Sequence, residues 1–358
     1  MGTIGAFRDK FIAGMLGNGY SQEVAERCFD QIEGFADYGF PESHAAAFAQ
    51  LVYVSAWLKR HHPAIFACAL LNSQPMGFYA PAQIVRDARD HHVEIRPICV
   101  NHSDWDNTLE RRSDGALALR LGFRQIKGLR EDDAVWITAA RGNGYRSAED
   151  VWRRAGTPPV VLARLAEADA FAGMGLTRRD ALWQVRAIRA PSQLPLFNDP
   201  LDGEAIREPE VALPQMHLGE EVVEDYVAMR LTLRAHPMEL LRPAMPGLTR
   251  NDALVEAPLQ RTTICGLVIT RQRPGTASGV IFLTLEDETG VGNVVVWKTI
   301  FERYRRAVMG GRLLRVTGRL EREGIVVHLI AEHIEDVSHR LSDLGHPMED
   351  AIGETAAQ

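Results

Sequence analysis

The chain has 358 residues, and 46% of them are hydrophobic, which allows two or three domains with apolar cores and excludes a chain that is disordered throughout. No run approaches the roughly 18 apolar residues of a membrane-spanning helix, and the opening MGTIGAFRDKFIAG lacks the charged and apolar regions of a secretory signal. The 4 cysteines are scattered without a C-x-x-C pair, so the sequence predicts neither zinc nor a disulfide framework. We therefore expect a cytoplasmic protein with no membrane partner.

The charge distribution points to one basic segment. The formal net charge of -7 at first argues against a nucleic-acid partner, because binding to phosphates requires concentrated positive charge. Residues 120–189, however, contain 13 Lys or Arg and only 8 Asp or Glu, and the acidic excess lies elsewhere, notably within residues 199–225. This asymmetry is typical of a basic binding module beside an acidic linker, although a mixed surface can show the same bias.

Helices are predicted over residues 21–72. Apolar residues recur there at three- and four-residue spacing, Ser43 can cap a helix that runs to about His61, and Pro63 suits the first turn of the next helix. This second pair of helices is apolar almost all round, so we expect it to be buried in something larger than the first hundred residues. A helix near residues 82–91 and an extended stretch over 94–105 follow.

A helix-hairpin-helix motif is the interpretation of residues 121–142. Lys127, Gly128 and Leu129 join a short helix to a helix that begins near Glu131. A glycine at such a turn allows the backbone to approach a phosphate, and the next helix offers free amides and the positive end of its dipole. Arg130 stands where such hairpins usually have a second glycine, and its guanidinium could contact phosphate directly. An ordinary helix turn is the alternative.

A second hairpin is predicted over residues 157–188, where Thr177 and Asp180 can form a capping box. Arg178 and Arg179 then occupy the first turn of the last helix, where the helix dipole disfavours cations. Contact with DNA phosphate would explain this placement. The alternative is that both side chains are exposed and screened by solvent.

The pentapeptide Gln193, Leu194, Pro195, Leu196 and Phe197 lies in a proline-rich stretch. An extended segment with a glutamine and paired apolar side chains is typical of a short peptide ligand. An apolar staple that packs back onto its own domain is the alternative.

Residues 262–337 alternate apolar and polar side chains in five runs, with a helical stretch over residues 299–308 between the third run and the fourth. Three strands, a helix and two strands are the order of an OB barrel, and other small barrels remain possible. If Ile281, Leu283 and Leu285 point inward, Phe282 points outward. An exposed Phe282 flanked by Arg271 and Arg273 is suited to stacking a base and holding its backbone.

Two further patterns carry little weight. Asp104 and Asp106 have a spacing that can bind magnesium, but no third carboxylate accompanies them, and adjacent histidines such as His61 and His62 diverge on a helix. We predict no metal site in this chain.

Residues 35–72 (FADYGFPESHAAAFAQLVYVSAWLKRHHPAIFACALLN) resemble the fingers signature of bacterial C-family DNA polymerases, the group of the DNA polymerase III alpha subunit. The variant Pro41-Glu42-Ser43-His44, where replicative members usually have Asn-Lys before Ser-His, resembles the error-prone branch. The stretches IKGL, EADAF, RRDALW and QLPLF and the barrel follow in the order of that family, so the resemblance covers nearly the whole chain.

This resemblance implies a function in damage-induced, translesion DNA synthesis. It places Ser43 and His44 near the incoming nucleotide. It implies that the tandem hairpins bind duplex DNA and that the barrel binds the single template strand. It also implies that residues 193–197 bind the sliding clamp. Accessory proteins of damage-induced synthesis are further implied partners. The phosphoesterase-like domain and the palm of the family, whose aspartates bind Mg²⁺ for nucleotide transfer, have no counterpart here. We therefore expect a C-terminal fragment that binds no cofactor and is inactive alone.

The predicted fold class is a multidomain α+β protein, with a helical fingers segment and tandem hairpins before a five-stranded OB barrel. The predicted domains are the fingers (1–110), the hairpin module (111–190), a linker with one docked helix (191–260), the barrel (261–338) and a disordered tail (339–358). The alternative function is a stand-alone, non-enzymatic nucleic-acid adaptor. A synthetase anticodon-binding barrel, the third candidate, lacks adenylation motifs in this chain.

Overall fold

The chain divides after Leu70 into two compact units. The computed structural model describes residues 7–35, 41–77, 79–188, 213–274, 279–324 and 326–345. Within these ranges, no helix combines the length and the apolar character that a bilayer crossing requires. The two units are described in turn.

The first unit is helical. Its helices are α1 (Arg8–Gly17), α2 (Gln22–Phe35), α3 (Pro41–His61) and α4 (Pro63–Asn72), the last of which crosses the boundary between the units. The rings of Phe11 and Phe29 lie 5.5 Å apart and join α1 to α2. Helix α3 has the apolar surface that the sequence predicts, and it is exposed. The exposed large apolar side chains of α3 are Phe48, Leu51, Val52, Tyr53, Val54 and Trp57.

The second unit begins with helix α5 (Pro81–Asp90) and a small sheet of β1 (Ile95–Arg96), β2 (Thr108–Arg111) and β3 (Leu117–Arg120). The strand order is β1-β3-β2, with β1 parallel and β2 antiparallel to β3. The predicted boundary between fingers and hairpins after residue 110 is therefore wrong, because it cuts through β2. The compact unit includes residues 71–110, which lack the long periodic runs from which a boundary can be predicted.

The hairpin module follows. It contains α6 (Glu131–Ala139), α7 (Ala148–Ala155), α8 (Pro159–Glu167) and α9 (Arg178–Ala187), with short 3-10 helices at Phe123–Gln125 and Ala172–Met174. The predicted capping box is confirmed. The Thr177 hydroxyl accepts a hydrogen bond from the Asp180 N–H at 3.2 Å and donates one to the Asp180 carboxylate at 2.6 Å. This cap fixes where α9 begins, and α9 packs against α8 through buried Leu165, Ala181 and Val185.

The predicted five-stranded barrel is confirmed. Its strands are β4 (Arg261–Gln272), β5 (Ile281–Glu286), β6 (Val291–Val296), β7 (Leu313–Glu323) and β8 (Val326–Asp336). They close in the order β4-β5-β6-β8-β7, with only the β6–β8 pair parallel. The helical stretch after β6 consists of two short helices, α12 (Lys298–Arg303) and α13 (Arg305–Gly310), instead of one.

The segment before the barrel is more ordered than a linker with one helix. It contains α10 (Leu218–Met229), where a helix is predicted, and also α11 (Pro237–Leu241). Residues 338–345, of which 339–345 are predicted as disordered tail, form a 3-10 helix that packs on α10, α11 and β7. Met238, Leu241, Leu313 and Leu344 are buried together there. Short elements interrupted by proline show little periodicity, so the sequence does not predict this second core. Residues 346–358 lie outside the described ranges.

Candidate nucleic-acid interface

The turn of the first hairpin has the predicted backbone conformation. Gly128 has a φ of 78°, in the left-handed region that glycine adopts without a steric penalty. Lys127 and Arg130 on either side of it are exposed, so both side chains can reach a ligand. The turn therefore presents two cations at the surface of the hairpin module.

The amides of this turn are less available than predicted. The Lys127 N–H donates to the Ala228 carbonyl of α10 at 2.9 Å, and the Leu129 N–H donates to the Ile126 carbonyl at 3.3 Å. Three acidic residues, Glu131, Asp132 and Asp133, occupy the first turn of α6. They already complement the helix dipole and repel an approaching phosphate. Two amides of the turn are thus engaged, and the backbone cradle for phosphate stays a prediction.

Arg178 does not face DNA, and this prediction is wrong. Its side chain is 1% exposed, and its Nη2 lies 2.5 Å from Oδ1 of the fully buried Asp225 on α10. A cation is therefore placed in the first turn of α9 because it pairs with an anion from another helix. Taking both charges out of water is costly unless each is paired and hydrogen-bonded.

Asp225 is the centre of the buried charges. It also accepts hydrogen bonds from Arg234 Nη1 at 2.7 and 2.9 Å and from the Thr232 hydroxyl at 2.7 Å. Arg234 in turn pairs with Asp169, at 2.7 Å, and with Glu221, at 3.1 Å. We call Asp169, Arg178, Glu221, Asp225 and Arg234 the ionic latch. Since Asp169 and Arg178 belong to the second hairpin, the latch fastens that hairpin to α10.

Burial controls the protonation of the latch. It raises the pKa of Asp169 and of Glu221, and the neighbouring arginines oppose this shift. Burial also disfavours the charged form of Arg234, but Asp225 and the other carboxylates outweigh it and raise the pKa of Arg234. The arginine therefore stays cationic, and the latch depends on keeping its carboxylates ionised beside it.

Arg179 is only half-buried, but its donors are occupied. Its Nη2 lies 2.5 Å from the Glu220 carboxylate, and its Nη1 donates to the Pro214 carbonyl at 2.7 Å. A phosphate that binds Arg179 would have to compete with the Glu220 carboxylate. The role of Arg179 as a DNA contact stays a prediction.

The barrel confirms the predicted alternation on β5. Ile281, Leu283 and Leu285 are buried in the core, whereas Phe282 is 37% exposed. Strands β5 and β6 are the second and third strands of the barrel. In OB folds, oligonucleotides bind to the face that these two strands form. Phe282 thus lies on the face where a base could stack.

The two arginines flanking that face differ. Arg271 donates to the carbonyl oxygens of Val308, at 2.7 Å, and of Gly311, and burial lowers its pKa. It caps the C-terminal end of α13 and so has a structural role, while its contact with DNA stays a prediction. Arg273 is exposed and lies over the Phe301 ring, 5.7 Å from its centroid.

Two residues beside Arg273 are missing from the predicted site. Trp297 is 53% exposed, and the exposed Lys298 follows it at the start of α12. A Cβ placed on Gly279 would lie 3.7 Å from Lys298 Cδ and 4.0 Å from Arg273 Nη2, so both cations border the same turn. Val295 pairs with Phe282, and Trp297 follows two residues later. We call Arg273, Phe282, Trp297 and Lys298 the aromatic–cationic patch. The feature of the sequence that could have indicated the aromatic–cationic patch is a tryptophan directly after an apolar strand.

The remaining predicted residues are only partly described. The pentapeptide 193–197 and the side chain of Ser43 lie outside the described residues. His44 is exposed and its ring lies 4.3 Å from that of Phe48, so proximity to a nucleotide stays a prediction. Asp104 and Asp106 pair with Arg141 and Arg124, at 3.2 and 2.5 Å.

Replacing Asp225 with asparagine tests the latch. The change leaves the buried Arg178 short of a counter-charge, so we expect the free energy of unfolding to fall by about 3 kcal/mol in urea titrations. Glu220→Gln is the matched control, because it removes an equivalent carboxylate from the half-exposed Arg179 pair and should cost less than about 1 kcal/mol. Equal losses in the two variants would mean that the latch does not hold the module in place.

Comparisons with known proteins agree with these two regions. A helix-hairpin-helix motif model matches residues 92–181, and an OB-fold nucleic acid binding domain model matches residues 262–337. Asparaginyl-tRNA synthetase from Pyrococcus horikoshii is similar over 26% of this chain and 23% of its own, at 24% identity and a TM-score of 0.23, which is too low to support any conclusion.

The sequence relatives are polymerases. The error-prone DNA polymerase of Ruegeria pomeroyi is 79% identical over 358 residues, which are 100% of this chain and 32% of that protein. The error-prone DNA polymerase of Sinorhizobium medicae is 50% identical over 95% of this chain and 33% of its own. The chain thus spans about a third of the length of the relatives it matches. The predicted resemblance to error-prone DNA polymerases is confirmed over the whole chain, which corresponds to about one third of the length of each of these relatives.

Proposed function

We propose that this chain is the DNA-handling part of an error-prone DNA polymerase used in damage-induced, translesion synthesis in the cytoplasm. The observation that carries the proposal is the 79% identity with the error-prone DNA polymerase of Ruegeria pomeroyi over every residue of the chain. In this proposal the hairpin module binds the duplex behind the active site, and the barrel binds the single template strand. Accessory proteins of damage-induced synthesis recruit the complete enzyme.

The ionic latch supports a joint action of the two regions. It fastens the hairpins to α10, and α10 packs against α11 and the 3-10 helix at 338–345, which cover β4 and β7 of the barrel. A second contact with the barrel is the ion pair between Arg86 of α5 and Glu286 of β5, at 2.8 Å. A rigid connection of this kind suits a substrate that changes from duplex to single strand at a fixed place.

The exposed apolar surface of α3 supports a larger assembly. Side chains such as Leu51, Val52 and Tyr53 are 60% or more exposed, and burying each one would contribute about 1.5–3 kcal/mol. Water-exposed apolar side chains on this scale mark an interaction surface. In the proposal, the rest of the polymerase covers α3 and supplies the carboxylates that bind Mg²⁺ for nucleotide transfer.

Primer extension separates a polymerase part from a stand-alone adaptor. We expect this chain alone to extend no primer with Mg²⁺ and nucleotides, and we expect extension after it is mixed with the remaining two thirds of the Ruegeria pomeroyi polymerase. Tyr53→Ser should reduce this complementation, because it removes apolar contact from α3, whereas the solvent-facing change Arg153→Ala should not. Extension by the chain alone, or no gain on mixing, would contradict the proposal. The adaptor alternative predicts no gain.

Single-strand binding tests the barrel. We expect replacement of both Phe282 and Trp297 with alanine to weaken binding of an oligothymidylate about tenfold or more, since base stacking contributes about 1–3 kcal/mol per base. Fluorescence anisotropy would measure the affinity. The matched control is Val326→Ala, which trims an exposed apolar side chain on β8. Unchanged affinity of the double variant would remove the aromatic–cationic patch from the binding surface.

The clamp tether is tested by a pull-down. We propose that Gln193–Phe197 binds the sliding clamp through Leu196 and Phe197, by analogy with short apolar peptide ligands. Replacing these two residues with alanine should abolish capture of the clamp by the full chain. The control Leu201→Ala, which changes an apolar residue shortly after Phe197, should leave capture intact. Capture of the clamp by the double variant at wild-type levels would exclude this segment as the tether.

A further inference from the structure

We propose that Arg164, which belongs to the second hairpin, is the main phosphate-contacting residue at the turn of the first hairpin. This inference rests on the proposed function, because it specifies how the hairpin module contacts duplex DNA. The two hairpins then share one composite phosphate site instead of offering two separate ones.

The guanidinium of Arg164 covers the glycine turn. From α8, its Nη1 donates a hydrogen bond to the Gly128 carbonyl oxygen. A Cβ placed on Gly128 would lie 3.3 Å from Arg164 Cζ and 3.5 Å from its Nε and Nη2. Glycine is therefore required here for two reasons, its positive φ and the space that the arginine occupies. The absence of a side chain lets the guanidinium reach the backbone of the turn.

Arg164 adds hydrogen-bond donors beside a turn whose backbone amides are partly engaged. The Lys127 and Leu129 amides of the turn are engaged in hydrogen bonds, and acidic side chains surround the start of α6. Phosphate binding at this place therefore needs cations that outweigh those carboxylates. A guanidinium has five N–H donors, and the Gly128 carbonyl oxygen accepts from one of its nitrogens. The remaining donors suit the paired oxygens of a phosphate.

The charge of Arg164 is uncompensated within the described part of the chain, where it forms no ion pair with any carboxylate. Lys127 is likewise without an ion pair there. Arg130 is partly neutralised by Asp133, at 3.5 Å. The three cations Lys127, Arg130 and Arg164 converge on one turn, and Arg164 is the guanidinium among them that forms no ion pair in the described part of the chain. The site is assembled from two hairpins, so the spacing of residues along the sequence does not reveal it.

A salt titration of duplex binding tests Arg164. The full chain and its variants would be titrated with a blunt 20-base-pair duplex between 50 and 200 mM salt. We expect Arg164→Gln to weaken binding about tenfold at 100 mM salt and to reduce the slope of log affinity against log salt by about 1, as for one lost phosphate contact. Glutamine keeps an N–H donor for the Gly128 carbonyl. Arg164→Lys keeps the charge, so its slope should stay near that of the wild type.

Arg153→Ala is the matched control, because it removes an exposed arginine of α7 that is paired with Glu149 at 2.7 Å. Its slope and affinity should match those of the wild type. A wild-type slope for Arg164→Gln, with an unchanged melting temperature, would overturn the inference while leaving the proposed function intact. Failure of the wild-type chain to bind the duplex would overturn both. If Arg164→Gln unfolds, Arg164→Met decides in comparison with Arg153→Ala, because methionine keeps much of the side-chain length without the charge: a slope lower by about 1 supports the phosphate contact, and a wild-type slope contradicts it.

Discussion

The buried pair of Arg178 and Asp225 fixes how α10 packs against the second hairpin. Neither charge can be left alone in the interior, because an unpaired buried ion costs several kcal/mol. Helix α10 must therefore remain on the second hairpin whenever the protein is folded. Since α10 also supports the outer surface of the barrel through the apolar cluster around Met238 and Leu344, the latch transmits the position of the hairpins to the barrel.

This rigid connection gives a physical meaning to the order of modules in the chain. The composite turn of Lys127, Arg130 and Arg164 is suited to phosphates of a duplex, and the patch with Phe282 and Trp297 is suited to unstacked bases. A polymerase substrate presents these two forms of DNA next to each other at the primer terminus. Placing both surfaces on one body would set the path of the template without any need to bind a specific sequence.

Long periodic elements and local caps were predictable from the sequence, because their signals lie within a few residues of one another. The five strands of the barrel, the inward alternation of Ile281, Leu283 and Leu285, and the capping box of Thr177 and Asp180 all belong to this class. The hairpin order and its match to the polymerase family followed from motifs that are short and colinear.

Pairing partners and module boundaries were not predictable, because they depend on distant parts of the chain. Arg178 and its partner Asp225 are 47 residues apart, so the two cations at the start of α9 resembled a DNA contact. Arg271 was assigned to DNA for the same reason, although it caps α13. Arg164 reaches the turn at Gly128 across 36 residues. The sequence identified Arg178 and Arg271 as cations of interest but not Arg164, and in all three cases the fold decided whether a carboxylate or a carbonyl faces the guanidinium.

Hydroxyl-radical footprinting of a primer–template junction tests most directly whether the hairpins and the barrel form one continuous surface along a single strand path. With the full chain bound, we expect uninterrupted protection that runs from the duplex phosphates across the junction into the template overhang, and loss of the overhang part alone when Phe282 and Trp297 are replaced. Protection confined to one side of the junction, or two protected tracts separated by an accessible gap, would contradict it.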